Sequence, residues 1–263
     1  MTMPKVGFVV PTLGSRIESL ERCLKSIKSQ AVPTFVVVVS PVSDLITNLP
    51  SGLVDLNLGQ EAGGLAAAVN LGEVHLPPEI EFFGWLGDDD FLAPNSVGMA
   101  LEKLSSEGRY SATVGRIVII DELGEQIGTY SPNRTRMRFP LVIPNPYPQP
   151  GSFFRRSDFR QVGRLLSDLK FAMDLDIFLK LRQVGDIGLV EQTVAFYTWS
   201  EGTLSFENSH SADREAIAVR VTHTPRMFKS VNRLNLTLQA NVAQLLRNLK
   251  VRNSRRFQEP QAN

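Results

Sequence analysis

Three short apolar runs, separated by helical patterns, set the strongest limit on how this 263-residue chain can fold. "VGFVV" occupies 6–10 and stops at Pro11, "FVVVV" occupies 35–39, and "FFGWL" occupies 82–86. A strand without polar alternation needs cover on both faces, the condition of a parallel sheet between helices. The first two runs flank "PTLGSRIESLERCLKSIKSQ", where Ile17, Leu20, Leu24 and Ile27 share one helical face. Ser15 and Glu18 have capping-box spacing ahead of that helix. Before the third run, "EAGGLAAAVNLG" (61–72) predicts a glycine turn, a small-residue helix and a stop at Gly72. The alternation predicts an α/β fold with a Rossmann-like, mostly parallel central sheet flanked by helices. In such sheets ligands bind beyond the carboxyl ends of the strands. Residues 11–14, 40–44 and 88–90 each follow a strand and are expected along one edge.

The last of these is a carboxylate triplet, Asp88, Asp89 and Asp90, in "WLGDDDFLAP". Two unit charges ~4 Å apart repel by about 4 kcal/mol at an effective dielectric of about 20. The triplet is therefore a solvated turn, which suits Asp, or it faces a cation. Its place at the ligand-binding edge favours a metal and phosphate site. Cys23 is the single cysteine, which excludes an internal disulfide and an all-cysteine zinc site. His75, His210 and His223 are far apart and in no ligand spacing. The expected ion is one that carboxylates suit, magnesium or manganese.

Charge narrows the partners. With 28 basic and 27 acidic residues the chain is no general nucleic-acid binder. Met1 to Lys5 leads into "VGFVVPTLG", too short and too broken for a signal peptide. No apolar run approaches the ~20 residues that span a bilayer, so the expected location is cytoplasmic.

Further along, "NSVGMALEKLSSEG" predicts a helix with Val97, Ala100, Leu101 and Leu104 inward, and residues 110–121 predict a longer strand with a return strand after it. The proline-rich "RFPLVIPNPYPQPGSFFRRSDF" predicts a loop that forms the floor or rim of an acceptor cleft. "DFRQVG" is a helical turn, and residues 174–185 predict a helix with Ile177, Phe178, Leu181 and Val184 inward. Residues 193–199 predict a strand. From residue 207 the pattern is helical around a break at Pro225, with Leu234, Leu238, Val242, Leu245 and Leu249 on one side and a basic end. Such a tail fits its own domain, a second copy of the chain, or the surface of an anionic membrane as a peripheral contact.

Together these segments resemble the inverting, GT-A-type glycosyltransferases of glycosyltransferase family 2. The resemblance covers residues 6–205 and rests on "VGFVVPTLGSRIESLERCLKSIKSQ", "EAGGLAAAVNLG", "WLGDDDFLAP" and "PGSFFRRSDFRQVGRLLSDLKFAMDLDIFLKL" in that order. It implies a GT-A domain over 1–205, with a nucleotide-sugar half (1–95), an acceptor half (96–205) and a helical extension (206–263) with a disordered end. It implies transfer of a sugar, with inversion, from a nucleotide-diphosphate donor to the hydroxyl of a glycan, lipid-linked or protein acceptor. Pro11, Thr12, Ser40, Asp44 and Gly63 would line the donor pocket. Asp88 and Asp89 would bind the donor, with Asp88 nearer the ribose. Asp89 and Asp90 would hold Mn2+ or Mg2+ against the leaving diphosphate. Asp174 matches the general base, although an Asp at a helix start is also a common cap. Asp176 would support the site.

The chain departs from the family pattern in four places. Gly87 stands where the first aspartate is usual, so the triplet's individual roles stay open. Ser40 stands where an acid usually holds the base, which leaves only Asp44 nearby and uridine as the default. Val69 replaces a frequent arginine beside Asn70, and Ser200 stands near the place of a frequent histidine. Arg155 and Arg156 fit either donor phosphates or solvent. These departures keep a non-catalytic nucleotide-sugar-binding or scaffold protein as the alternative. A nucleotidyltransferase would need a glycine-rich basic loop, which "PTLGSRIES" lacks.

Overall fold

The computed structural model describes residues 6–42, 44–59, 63–106, 108–199 and 209–256. The three apolar runs form β1 (Val6–Pro11), β2 (Thr34–Ser40) and β4 (Phe82–Trp85), and β3 (Leu56–Gly59) adds an edge. These four strands run parallel in the order β3-β2-β1-β4. Helix α1 (Ile17–Lys28) covers one face and α2 (Leu65–His75) the other. Pleating divides β1 between them: Phe8 and Val10 pack with Leu20, Leu24 and Ile27, while Val9 packs with Ala66 and Val69. All eight are at most 3% exposed. Each large one among them stabilises the fold by about 1.5–3 kcal/mol. This is why the runs carry no polar alternation.

Two local expectations fail for physical reasons. Ser15 caps nothing; α1 begins after Arg16 with no side-chain cap, and the Arg16 side chain is committed elsewhere. Gly72 does not stop α2, which continues to His75. A Cβ at Gly72 would lie 2.4 Å from Val9 Cγ1, so this glycine lets the helix rest on β1.

Beyond β4 the sheet mixes directions. It continues β4-β8-β6-β9-β5, with β5 (Phe91–Leu92), β6 (Tyr110–Ile120), β8 (Phe153–Arg155) and β9 (Asp186–Thr198), while β7 (Gln126–Tyr130) pairs with β6. Strand β8 lies within the segment expected to be all loop, and it pairs antiparallel with both β4 and β6. Strand β9 starts seven residues before the expected 193. Helices α3 (Ser96–Ser105), α5 (Arg156–Gln161) and α6 (Met173–Leu181) follow the expected order, and α4 (Arg134–Arg138), a short helix capped by the Asn133 side chain, was not expected. Two further helices close the described chain, α7 (Ser209–His223) and α8 (Lys229–Arg256), with Pro225 between them.

Candidate active site

The strand ends bring the candidate residues to one edge, as the alternation implied. Thr12 follows β1, and its hydroxyl donates to Asp88 Oδ2. Ser40 ends β2, is 1% exposed, and its hydroxyl accepts from Val42 N. Asp44 is exposed ahead of a 3-10 turn at Leu45–Asn48. Gly63 has φ +70 just before α2, a conformation glycine adopts without strain.

The triplet does not point into bulk solvent. Asp88 and Asp90 are each 5% exposed. Arg16 bridges two members, with Nη2 at 2.7 Å from Asp88 Oδ1 and Nη1 at 2.6 Å from Asp89 Oδ2. Arg22 donates to the Asp89 carbonyl at 3.0 Å and lies 4.6 Å from the centre of the Phe91 ring. Asp90 Oδ1 accepts from Thr198 N at 2.9 Å, which ties the triplet to the end of β9. Burial pushes the Asp90 carboxyl well up, and Asp89 and Asp88 add to it. Burial also raises Asp88, although Thr12 and Arg16 oppose the rise. Arg16 feels burial in the opposite sense, but the two aspartates outweigh it and lift its pKa.

Two oxygens of the triplet are left over. Asp89 Oδ1 and Asp90 Oδ2 accept no hydrogen bond from the described residues, and both converge on Gly87. A Cβ there would lie 3.0 Å from the first and 3.4 Å from the second. Gly87 thus leaves a side chain missing from the cradle between two carboxylates. Among the described residues no three acidic, histidine or cysteine groups gather around one ion site. Two carboxylates suffice for Mg2+ or Mn2+ when substrate phosphates and water complete the shell. Asp89 and Asp90 therefore fit such an ion.

Asp90 and Gly87 open onto a cavity of about 460 Å3, and Asp174 lines the same cavity. Trp85, Tyr147 and Leu65 give it apolar walls, and Lys170 brings a cation. The rim is the proline-rich segment expected to form the cleft: Asn145, Pro148, Gln149 and Pro150. Hydrogen bonds hold this rim in place. Gln149 donates to the Trp85 carbonyl at 2.8 Å, and Tyr130 Oη donates to the Asn145 carbonyl at 2.8 Å.

Asp174 sits in the first turn of α6. Asn145 donates to its Oδ2 at 3.3 Å, and Leu175 N donates to its Oδ1 at 2.7 Å. Burial raises its pKa to about 6, against the opposing pull of these bonds and of Arg220. It is not the helix cap: Glu215 of α7 accepts from Phe171 N and Ala172 N, each at 2.7 Å, just ahead of α6. Asp176 turns away from the cavity to His223 at 2.8 Å and Lys180 at 2.6 Å. Burial works against its ionisation, but His223 and Lys180 prevail and hold it low.

Sequence reasoning missed four contributors. Arg16 and Asn145 lie within patterned segments but carried no assigned role, Glu215 and Arg220 lie beyond the resemblance, and each acts on a residue far away in the chain. Conversely, Arg155 and Arg156 do not face the cavity. Arg156 is 4% exposed and binds Glu73 and the carbonyls of Glu73, Leu76, Pro77 and Ile80. Arg155 binds the carbonyls of Tyr110 and Leu104. Both are spent on carbonyls at strand and helix ends. Val69 is fully buried, and Asn70 bonds Leu165 in both directions. Ser200 lies outside the described residues.

No protein-family model and no curated protein sequence matches this chain. Solved structures do. TarS from S. aureus aligns over 86% of this chain at 16% identity with a TM-score of 0.60, and the chain spans 41% of TarS. The 1–349 portion of TarS in complex with UDP-GlcNAc aligns over 89% at 15% identity with a TM-score of 0.63, of which the chain spans 71%. The fold is GT-A. A second GT-A neighbour is the mannosyltransferase PcManGT from Pyrobaculum calidifontis, in complex with GDP-Man and Mn2+. It aligns over 94% of this chain at 16% identity with a TM-score of 0.51, and 76% of it is covered.

Proposed function

We propose that this protein is an inverting glycosyltransferase that moves a sugar from a nucleotide-diphosphate donor to an acceptor hydroxyl. The observation that carries the proposal is one cavity lined by both Asp90 and Asp174, carboxylates from two distant segments with different surroundings. Direct displacement needs a base on one side of the sugar and charge neutralisation on the other, and this arrangement suits that need.

Asp174 acts as the general base. With a pKa of about 6 it is more basic than an ordinary carboxylate yet still ionised at neutral pH, as base catalysis favours. Asn145 orients it. Pro11, Thr12, Ser40, Asp44 and Gly63 line the nucleotide side, with Asp88 toward the ribose. Asp89 and Asp90 hold Mn2+ or Mg2+, which when bound neutralises charge on the leaving diphosphate. Arg16 keeps Asp88 and Asp89 in register, and Lys170 adds positive charge to the wall. Uridine is the default base, and the acceptor is a glycan, lipid-linked or protein hydroxyl. Residues 1–95 serve the donor and residues 96–205 the acceptor. The neighbours' bound UDP-GlcNAc and GDP-Man are donors of this class.

Thermal shift with UDP, GDP, UDP-GlcNAc and GDP-Man, each with and without Mn2+, tests donor binding, because a ligand stabilises the state that binds it. Donor turnover is then compared with Asp174→Asn. The expected result is a manganese-dependent rise in melting temperature in both proteins, and turnover only in the unmodified chain. If donor binding fails equally in the variant, Asp174 is no base. If binding occurs with no turnover in either protein, the protein is a nucleotide-sugar-binding scaffold.

A further inference from the structure

No helix among the described residues is long and apolar enough to cross a membrane. Helix α8 nevertheless leaves an apolar stripe uncovered. Val231, Leu234, Leu238 and Val242 recur at intervals of three and four and are 71, 73, 62 and 49% exposed. Met227, at 80%, extends the stripe by one turn. A different side of the same helix is docked on the domain: Leu236 is 3% exposed, Asn232 donates to the Leu141 carbonyl at 3.0 Å, and Gln239 donates to the Val142 carbonyl at 2.9 Å. The stripe is therefore not the face that holds α8 to its own protein.

Charge decides what covers it. Residues 216–257 carry nine of the chain's 28 basic residues and none of its 27 acidic ones. The rest of the molecule is net acidic. Two copies of α8 laid stripe to stripe would bring two basic helices together without one carboxylate to pair them, the opposite of a specified helix pair. An anionic lipid surface supplies both missing partners, acyl chains for the stripe and headgroups for the cations. An acidic body facing away from the surface would orient the approach. Phe139 and Val142, 57 and 40% exposed, lie on the segment that α8 docks against and that goes on to form the cavity rim.

We infer that α8 docks this protein flat on an anionic bilayer, with Val231, Leu234, Leu238 and Val242 inserted and the cavity rim close to the lipid surface. This rests on the helix alone and stands or falls apart from the proposed transfer reaction.

Co-sedimentation of the full chain with vesicles tests it. Vesicles with 30% phosphatidylglycerol are expected to bind at least ~10-fold more tightly than pure phosphatidylcholine, with added salt weakening the binding. The double variant Leu234→Ser/Leu238→Ser is expected to lose about tenfold while its melting temperature is unchanged, since both side chains are exposed. Arg247→Gln/Lys250→Gln/Arg252→Gln/Arg255→Gln/Arg256→Gln, at the basic end of the helix, is expected to lose affinity for the anionic vesicles only. Equal binding to both vesicles, undiminished binding of the double-serine variant, or a dimer that this variant dissolves would each overturn the inference.

Discussion

The cavity joins two carboxylate clusters that the protein treats in opposite ways. At residues 88–90 three consecutive acids are crowded, and the fold answers by bringing Arg16 against two of them and backbone N–H against the third. On α6 the acids are separated instead. Asp174 and Asp176 are two positions apart on a helix, about 200° around the axis, so one enters the cavity and the other meets His223 and Lys180. Asp174 is raised to about 6 while Asp176 is held low. A carboxylate's task here is set less by its own chemistry than by which cation the fold supplies.

The largest expected effect breaks the two clusters apart functionally. Asp174→Asn should lower the rate of transfer by about 10²–10⁴-fold and leave donor affinity near that of the unmodified protein. Asp90→Asn should lower donor affinity itself by at least ~10-fold in the presence of Mn2+, since the proposed ion site would lose one of its two carboxylates. Steady-state turnover and calorimetric titration of the donor measure the two quantities. Identical behaviour in both variants would mean that the two clusters do not divide the work.

This division shows what local sequence carries and what it does not. Strands β1, β2 and β4 were legible because burial on both faces leaves unbroken apolar runs. The segment 186–192 was not, because its alternating exposure reads as polar. Strand β8 is three residues long and hidden among prolines. The triplet and Asp174 could be picked out by residue type, position and resemblance, but nothing in their spacing says they share a cavity. Arg16 was read only as the approach to a helix. Glu215, Arg220 and His223 lie on one helix whose partners are some 45 residues earlier, a relation that exists only after α7 packs on α6.

Helix α7 sharpens the comparison at the next level of effect. Arg220 is 6% exposed, donates to the Pro140 carbonyl, and its charge holds the Asp174 pKa below where burial alone would put it. If Asp174 is the base, as proposed, the rate should fall as pH drops through about 6, where its carboxylate becomes protonated. Arg220→Met removes a positive charge, so the acidic limb of kcat/KM against pH should move up by roughly half a unit to one unit. Arg220→Lys should largely restore it. A limb that stays in place with Met would show that Arg220 only packs.

The smallest effects concern stability, and they have opposite signs. Asp174 has a raised folded-state pKa, so its contribution is fully present below the unfolded pKa and lost as pH rises through about 6. At pH 7 its buried charge is a cost, on the order of 1–2 kcal/mol once its opening to the cavity is allowed for. Asp174→Asn should then raise the melting temperature at pH 7 by about 2–6 °C, and the gain should vanish near pH 4. Asp176 has a lowered folded-state pKa, so its contribution is present above the unfolded pKa and lost as pH falls through the folded one. Asp176→Asn should therefore lower the melting temperature at pH 7, by about 1 kcal/mol for weakened charge-assisted bonds, and matter least in acid. Melting curves of the two variants at pH 7 and pH 4 decide the matter. If both substitutions move stability in the same direction at pH 7, the contrast between the cavity side and the α7 side of α6 is wrong.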